Sequence, residues 1–213
     1  MLESKGIFIT FEGPECAGKT TQIRLLREYC NSIGRKALVT REPGGTEVGE
    51  QLRHIVKHHV GDTAVTDEAE VLLFGASRAQ HVSKVIKPAL ERGEVVICDR
   101  FADSTTSYQG YARGLDMDFI KRLNNFAVCG CMPDITFLLD LTAEESMERS
   151  RNREETLLVE DRIESEKLDF HKRVREGFLK IADENPQRVK IVSAIDSIEN
   201  IHQKIVDLLK DLL

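Results

Sequence analysis

Eight consecutive residues, Gly13-Pro14-Glu15-Cys16-Ala17-Gly18-Lys19-Thr20, satisfy the spacing GxxxxGK[ST] of a phosphate-binding loop. The chemistry of such a loop is electrostatic. Glycines let successive backbone N–H groups turn inward around phosphate oxygens, the start of a helix adds positive potential, and Lys19 adds a full charge. Thr20 can offer its hydroxyl to a magnesium ion. All eight residues are therefore candidate phosphate ligands.

A phosphate loop functions only at the junction of a strand and a helix, and the flanks here supply both. The apolar run Ile7-Phe8-Ile9-Thr10-Phe11 precedes it, and a helical pattern starts near Thr20 with Ile23, Leu26 and Cys30 on one face and Gly34 as a stop. Further strands are predicted from the runs Lys36 to Thr40, Glu94 to Asp99, Asp134 to Leu141 and Val189 to Ser193, the first strand covering Gly6 to Phe11. Val95-Val96-Ile97-Cys98 and Ile135-Thr136-Phe137-Leu138-Leu139 are apolar without alternation, as strands covered on both faces of a parallel sheet must be. Ser197 caps a last helix in which Ile198, Ile201, Ile205, Leu208, Leu209 and Leu212 keep helical spacing. Strands alternating with helices predict an α/β fold, a doubly wound parallel sheet of about five strands flanked by helices. No repeat or linker divides the chain, so residues 1–213 are expected to form one domain.

In an open α/β sheet, ligands sit beyond the carboxyl ends of the strands. After the second strand come Arg41-Glu42-Pro43-Gly44-Gly45-Thr46. After the third come Asp99 and Arg100, then Ser104, Thr105 and Tyr108-Gln109-Gly110. After the fourth, a helical stretch carries Arg149, Arg151 and Arg153. Asp99 closes an apolar strand, a position from which a carboxylate holds magnesium directly or through water. Arg100 suits bidentate phosphate binding. The stretch from Glu144 to Glu176 is dense in charges of both signs, and its arginine spacing predicts a helical lid, about 144–164, over the phosphates. His58, His59 and His81 lack a metal-ligand set and read as surface or structural.

Composition bounds the partners. A net charge of -6 argues against a general nucleic-acid binder, so any positive field must be local and built from a few placed arginines. Five cysteines, an odd number, with Cys129-Gly130-Cys131 lacking a second pair for zinc, indicate free thiols in a reducing compartment. No run approaches the ~18 apolar residues of a membrane span, and no leader pattern opens the chain. A cytoplasmic protein is expected.

On these residues the chain resembles the thymidylate kinases, P-loop nucleoside monophosphate kinases. The resemblance rests on Phe11-Glu12-Gly13-Pro14-Glu15, Arg41-Glu42-Pro43-Gly44-Gly45-Thr46, Leu72-Leu73-Phe74 with Arg78-Ala79-Gln80-His81, Asp99-Arg100-Phe101, Ser104-Thr105 with Tyr108-Gln109-Gly110, and Pro133-Asp134. It spans nearly the whole length. It implies transfer of the γ-phosphoryl group of ATP to dTMP, with Mg2+, giving dTDP and ADP. It implies that Phe74 stacks on thymine, although from the residues alone Phe74 lies in an apolar helix and reads as core. It further implies that Arg78 reaches the base edge, that Thr105 sits by the base, that Tyr108 packs against the sugar, and that Glu15 reaches the 3′-hydroxyl region. Arg100, with Arg53, is implied to hold the acceptor phosphate, with Ser104 and Gln109 completing the substrate site. Glu42-Pro43 is implied to be a cis peptide. The family commonly forms homodimers, and a helix over Thr66 to Leu90 is long and apolar enough to take part.

Two departures from the family pattern matter. Cys16 stands where glycine is usual, or arginine in one subclass. With no charge there, a second cation must come from the lid, as in the subclass that keeps its arginines in that segment. Arg149 and Arg153 are four apart and share a helix face, while Arg151 points elsewhere. Lys19, Arg100, Arg149 and Arg153 are thus the candidate catalytic residues. The segment Glu154 to Glu160 is also longer than the usual lid. Other readings are a different nucleoside monophosphate kinase or a deoxynucleoside kinase, which needs a base such as Glu42 or Asp99. More distant is a nucleotide-driven regulatory switch, against which stands the lack of an Asn-Lys-x-Asp motif.

Overall fold

The computed structural model describes residues 6–58, 64–154, 163 and 166–213, with the side chains of Arg153 and Glu154 outside that set. Residues 155–160, Asp161, Arg162, Glu164 and His59 accordingly lie outside the described residues.

Five strands, β1 (Ile7–Glu12), β2 (Ala37–Arg41), β3 (Val95–Asp99), β4 (Ile135–Asp140) and β5 (Val189–Ser193), form one sheet in the order β2-β3-β1-β4-β5. Every pairing is parallel, with Ile9 opposite both Ile97 and Ile135. The central strands are buried on both faces because their side chains are apolar at both parities. On one face Ile7, Ile9 and Phe11 pack with Ile23, Leu26 and Cys30 of α1 (Lys19–Ser32) and with Ile201, Ile205 and Leu209 of α9 (Ile198–Leu209). Ser197 caps α9 as expected, its hydroxyl accepting from the Asn200 N–H at 3.2 Å.

The opposite face is covered by α2 (Glu47–Lys57), α3 (Asp67–His81), α4 (Lys87–Glu91), α5 (Ala102–Thr105), α6 (Met117–Val128) and α8 (Leu168–Glu184), while α7 (Ala143–Glu154) leaves the end of β4. The helix expected over Thr66 to Leu90 is present but not uniform. A π-helical turn, Val82–Ile86, lies between α3 and α4. A second π segment, Thr106–Ala112, continues α5, and sequence periodicity did not reveal it. Its extra residue per turn rotates Tyr108 and Gln109 relative to an ordinary helix, a device common at functional sites.

Order β2-β3-β1-β4-β5 places the chain reversal at β1. The loop after β1 therefore opens beside the ends of β3 and β4, where a crevice must form.

Candidate active site

The crevice is a cleft of ≈ 990 Å³ that brings together the phosphate loop, the turn after β2, the turn after β3 and one face of α3. Its lining includes Glu15, Cys16, Ala17, Gly18, Lys19 and Thr20, along with Arg53, Phe74, Arg78, Asp99, Arg100, Ser104, Thr105, Tyr108, Gln109 and Arg149. These sequence-predicted positions share one cavity. Gly13 and Pro14 are buried behind the loop.

The phosphate loop is locked from below. Gly13 adopts φ +130°, and a Cβ there would lie 2.4 Å from the Leu139 carbonyl oxygen of β4. No residue larger than glycine fits without moving the central sheet. Lys19 is buried and donates from Nζ to the carbonyls of Gly13 (3.2 Å) and Pro14 (2.7 Å). Burial and the neighbouring Arg100 charge push its pKa down, against Glu15, Asp99 and Glu12. Cys16 takes φ +55°, the left-handed region that favours glycine. A glycine would take this backbone state without strain.

Arg100 occupies the centre of the cleft. Its backbone is left-handed, φ +67°, an uncommon state for a residue with a Cβ. Its N–H donates to the Phe11 carbonyl at 2.9 Å, tying β3 to β1. Nη2 pairs with Glu15, Nη1 donates to Ser104 Oγ at 3.2 Å, and the guanidinium lies 5.2 Å from the Tyr108 ring centroid. Burial opposes its charge, but Tyr108, Glu15, Glu12 and Asp99 more than offset that and hold it protonated well above the usual range. Glu15 is the converse. Burial disfavours its charge, yet Arg100 and Lys19 hold it well below the ordinary carboxylate range. Burial pushes the Tyr108 phenol up to about 12, so it is neutral and its ring serves as a wall.

Sequence reasoning missed the group beneath this corner. Glu12, 1% exposed at the end of β1, accepts from the N–H of Phe101 (2.8 Å), the N–H of Ser104 (3.2 Å) and Ser104 Oγ (2.5 Å). It braces the turn that displays Arg100. Burial first, then Asp103, raises its pKa to about 7, against the pull of Arg100, Ser104 and Phe101. Glu12 is legible only as a carboxylate in an apolar strand, and its partners lie about ninety positions away.

Arg78 is a hub and only 2% exposed. Nε donates to Glu42 (2.8 Å), Nη1 to Asn124 Oδ1 (2.8 Å), and Nη2 to the Phe101 carbonyl (3.1 Å) and to Thr105 Oγ1 (3.0 Å). Glu42, whose bond to Pro43 is cis, also meets Nδ1 of the fully buried His81 at 3.0 Å. His81 Nε2 in turn lies 2.7 Å from Thr40 Oγ1. Read from the sequence as surface or structural, His81 is structural, linking β2 to α3. Phe74 is neither wholly core nor exposed; it is half-buried one turn before Arg78 on the cleft wall. Arg53 lines the cleft and donates to the Pro43 carbonyl at 3.0 Å.

Thr20 and Asp99 are hard oxygen donors, the kind magnesium takes one or two of while keeping its waters. Thr20 is exposed at the start of α1, and the Asp99 carboxylate makes no hydrogen bond among the described residues although it lines the cleft. The donor set fits that ion. All five cysteines are free, and no cluster of three or more His, Cys, Asp or Glu suited to a metal occurs among the described residues.

Arg149 of α7 is exposed and lines the cleft beside the phosphate loop. It donates to the Cys16 carbonyl (3.4 Å) and to the Ala194 carbonyl after β5 (3.2 Å). Arg151 is exposed on the same helix.

A family model for thymidylate kinase matches residues 11–205. The chain is 47% identical over 205 residues to the thymidylate kinase of Chlorobaculum tepidum, covering 94% of this chain and 95% of that one. It is 40% identical over 211 residues to that of Bacillus pumilus, covering 98% and 97%. Among solved structures, the thymidylate kinase of Ehrlichia chaffeensis superposes with a TM-score of 0.78 at 37% identity, over 97% of this chain and 100% of that one.

Proposed function

This chain belongs to the thymidylate kinase family, and from that membership we infer how its cleft performs the family's reaction. It transfers the γ-phosphoryl group of ATP to dTMP, giving dTDP and ADP. The attacking atom is a phosphate oxygen. A phosphomonoester has its second pKa near ~6, so the acceptor is already mostly dianionic at neutral pH and no strong general base is required. The barrier is the approach of two polyanions in line, and fixed cations lower it.

Lys19 and the backbone N–H groups of residues 15–20 hold the donor phosphates. Arg100, with Arg53, holds the acceptor phosphate, and the left-handed backbone at Arg100 aims that side chain before substrate arrives. Ser104 and Glu15 fix its orientation. Phe74, Thr105, Tyr108 and Gln109 form the walls for the thymidine, with Arg78 bonding Thr105 in place. Arg149 and Arg153 supply the lid charge that Cys16 cannot. Thr20 and Asp99 are the ligands for Mg2+, which when bound neutralises phosphate charge.

One sheet carries all five strands, which supports one kinase domain over residues 1–213 with a lid near 144–164. A homodimer is proposed through α3 and α6. They pack together and expose Leu72, Phe119 and Phe126, the last at 81%. Five free thiols support a reducing, cytoplasmic setting; no described helix is long and apolar enough to cross a membrane.

The observation that carries this reading is the single cleft shared by the phosphate loop, Arg100 and Phe74. The experiment is a panel of dTMP, dUMP, dCMP, dGMP and thymidine with ATP and magnesium, scored for the phosphorylated product. Conversion of dTMP to dTDP is expected. Preference for thymidine over dTMP contradicts the acceptor site.

A further inference from the structure

Ser146 lies near the start of α7 and is 4% exposed. A serine inside a helix ordinarily points its hydroxyl to solvent or to the carbonyl four residues back. Here the Ser146 N–H donates to the Thr142 carbonyl at 2.9 Å, while Oγ leaves the helix and donates to the Glu15 carbonyl at 2.8 Å, 131 positions away in the phosphate loop. Arg149, on the next turn of α7, donates to the following loop carbonyl, that of Cys16, at 3.4 Å. Two successive carbonyls of the loop are therefore held from one helix.

The consequence falls on the other side of each peptide. In a trans peptide the C=O and N–H point in opposite directions. Carbonyls of Glu15 and Cys16 drawn toward α7 turn the N–H groups of Cys16 and Ala17 away from it, as a cradle of inward donors requires. Both residues line the cleft. Cys16 is also the loop residue that gains most from such a hold, because it carries a Cβ at φ +55°, a state uncommon outside glycine. The root of α7 is firm enough to provide it. Thr142 and Glu145 cap each other, Thr142 Oγ1 accepting from the Glu145 N–H and Glu145 Oε2 from the Thr142 N–H, each at 3.2 Å. Arg175 of α8 grips Asp140, at the end of β4, with two bonds of 2.8 and 2.9 Å.

We propose that Ser146 is a positioning residue for the donor phosphates, tying the root of the lid helix to the Glu15–Cys16 peptide and keeping the loop in its binding shape. The inference rests on the reading of this loop as the donor-phosphate site. The acceptor arm does not share the dependence. Arg100 has its own ties, from its N–H to the Phe11 carbonyl at 2.9 Å and from Nη1 to Ser104 Oγ at 3.2 Å. Loss of the Ser146 hydroxyl should therefore be felt by the donor nucleotide and not by dTMP.

The test is calorimetric binding of ADP with magnesium, and separately of dTMP, to the wild type, Ser146→Ala and Ser146→Thr. The alanine removes only the hydroxyl and suits a helix; the threonine keeps the hydroxyl. In Ser146→Ala the Kd for ADP is expected to rise roughly 3- to 10-fold, the worth of one net hydrogen bond, with the Kd for dTMP within twofold of wild type. Ser146→Thr is expected to bind ADP more tightly than Ser146→Ala. A rise for ADP below threefold in Ser146→Ala, an equal weakening of ADP and dTMP, or a threonine variant no better than the alanine one overturns the proposal. If the wild type binds ADP but not dTMP, the acceptor-site reading falls instead, and the ADP comparison still decides the role of Ser146.

Discussion

Replacing Glu12 with glutamine removes a buried titration from the floor of the site. In the folded protein the Glu12 carboxyl has a pKa raised from 4.5 to about 7 by burial and by Asp103. At ~1.4 kcal/mol per pKa unit, that difference corresponds to about 3 kcal/mol. The sign follows from proton binding. The folded state holds the proton more tightly than the unfolded chain, so the contribution is fully present below pH ~4.5 and is lost as pH rises through about 7. Glu12→Gln has no such slope. It has a second, smaller effect at every pH: the amide oxygen can still accept from the Phe101 and Ser104 N–H groups, but the NH2 group then faces Ser104 Oγ, which must accept instead of donate. The absolute stabilities therefore matter less than how their difference changes. Urea unfolding of both proteins at steps from pH 4.5 to 8.5 should show wild-type stability falling relative to the variant by about 3 kcal/mol across that range. A difference independent of pH would refute the assignment of Glu12 as a raised, buried carboxyl and leave it a simple hydrogen-bond acceptor.

Two further substitutions probe the walls of the cleft. Phe74→Ala should raise the KM for dTMP roughly 5- to 150-fold, the range for losing one base–aromatic contact, with the KM for ATP nearly unchanged; initial-rate kinetics with each substrate varied will show this, and equal losses for both would make Phe74 core. Gly13→Ala places a Cβ 2.4 Å from the Leu139 carbonyl at φ +130°, so the loop must move; Tm should fall and ATP binding by calorimetry should weaken, and an unchanged Tm would contradict the close approach to β4.

What was legible in the sequence is what sequence encodes locally. The phosphate loop lies within eight residues, and β3 and β4 announce themselves as continuous apolar runs because a central parallel strand is covered twice. Ser197 and Gly34 mark helix ends through short-range chemistry. The rim after β2 and β3 followed from topology alone. What could not be read are the polar contacts that join distant segments. Glu12 meets Phe101 and Ser104, Arg78 meets Glu42 and Asn124, and Glu70 meets Gln109 and Arg113. Each such residue is an ordinary charged side chain in its own neighbourhood, and only the folded chain makes it a brace. The π segment at Thr106–Ala112 escaped notice for a related reason. Its turns are stabilised by packing on α8, and helical periodicity assumes 3.6 residues per turn.

In the proposed mechanism placed positive charge, rather than a base, drives transfer, and the lid provides what Cys16 lacks. The direct measurement is turnover of dTMP by the triple variant Arg149→Ala, Arg151→Ala, Arg153→Ala. A supplied arginine in phosphoryl transfer contributes roughly 10³–10⁵ in rate, so kcat should drop by ~10³ or more while the KM for dTMP changes only a few-fold. Turnover at the wild-type rate would contradict it.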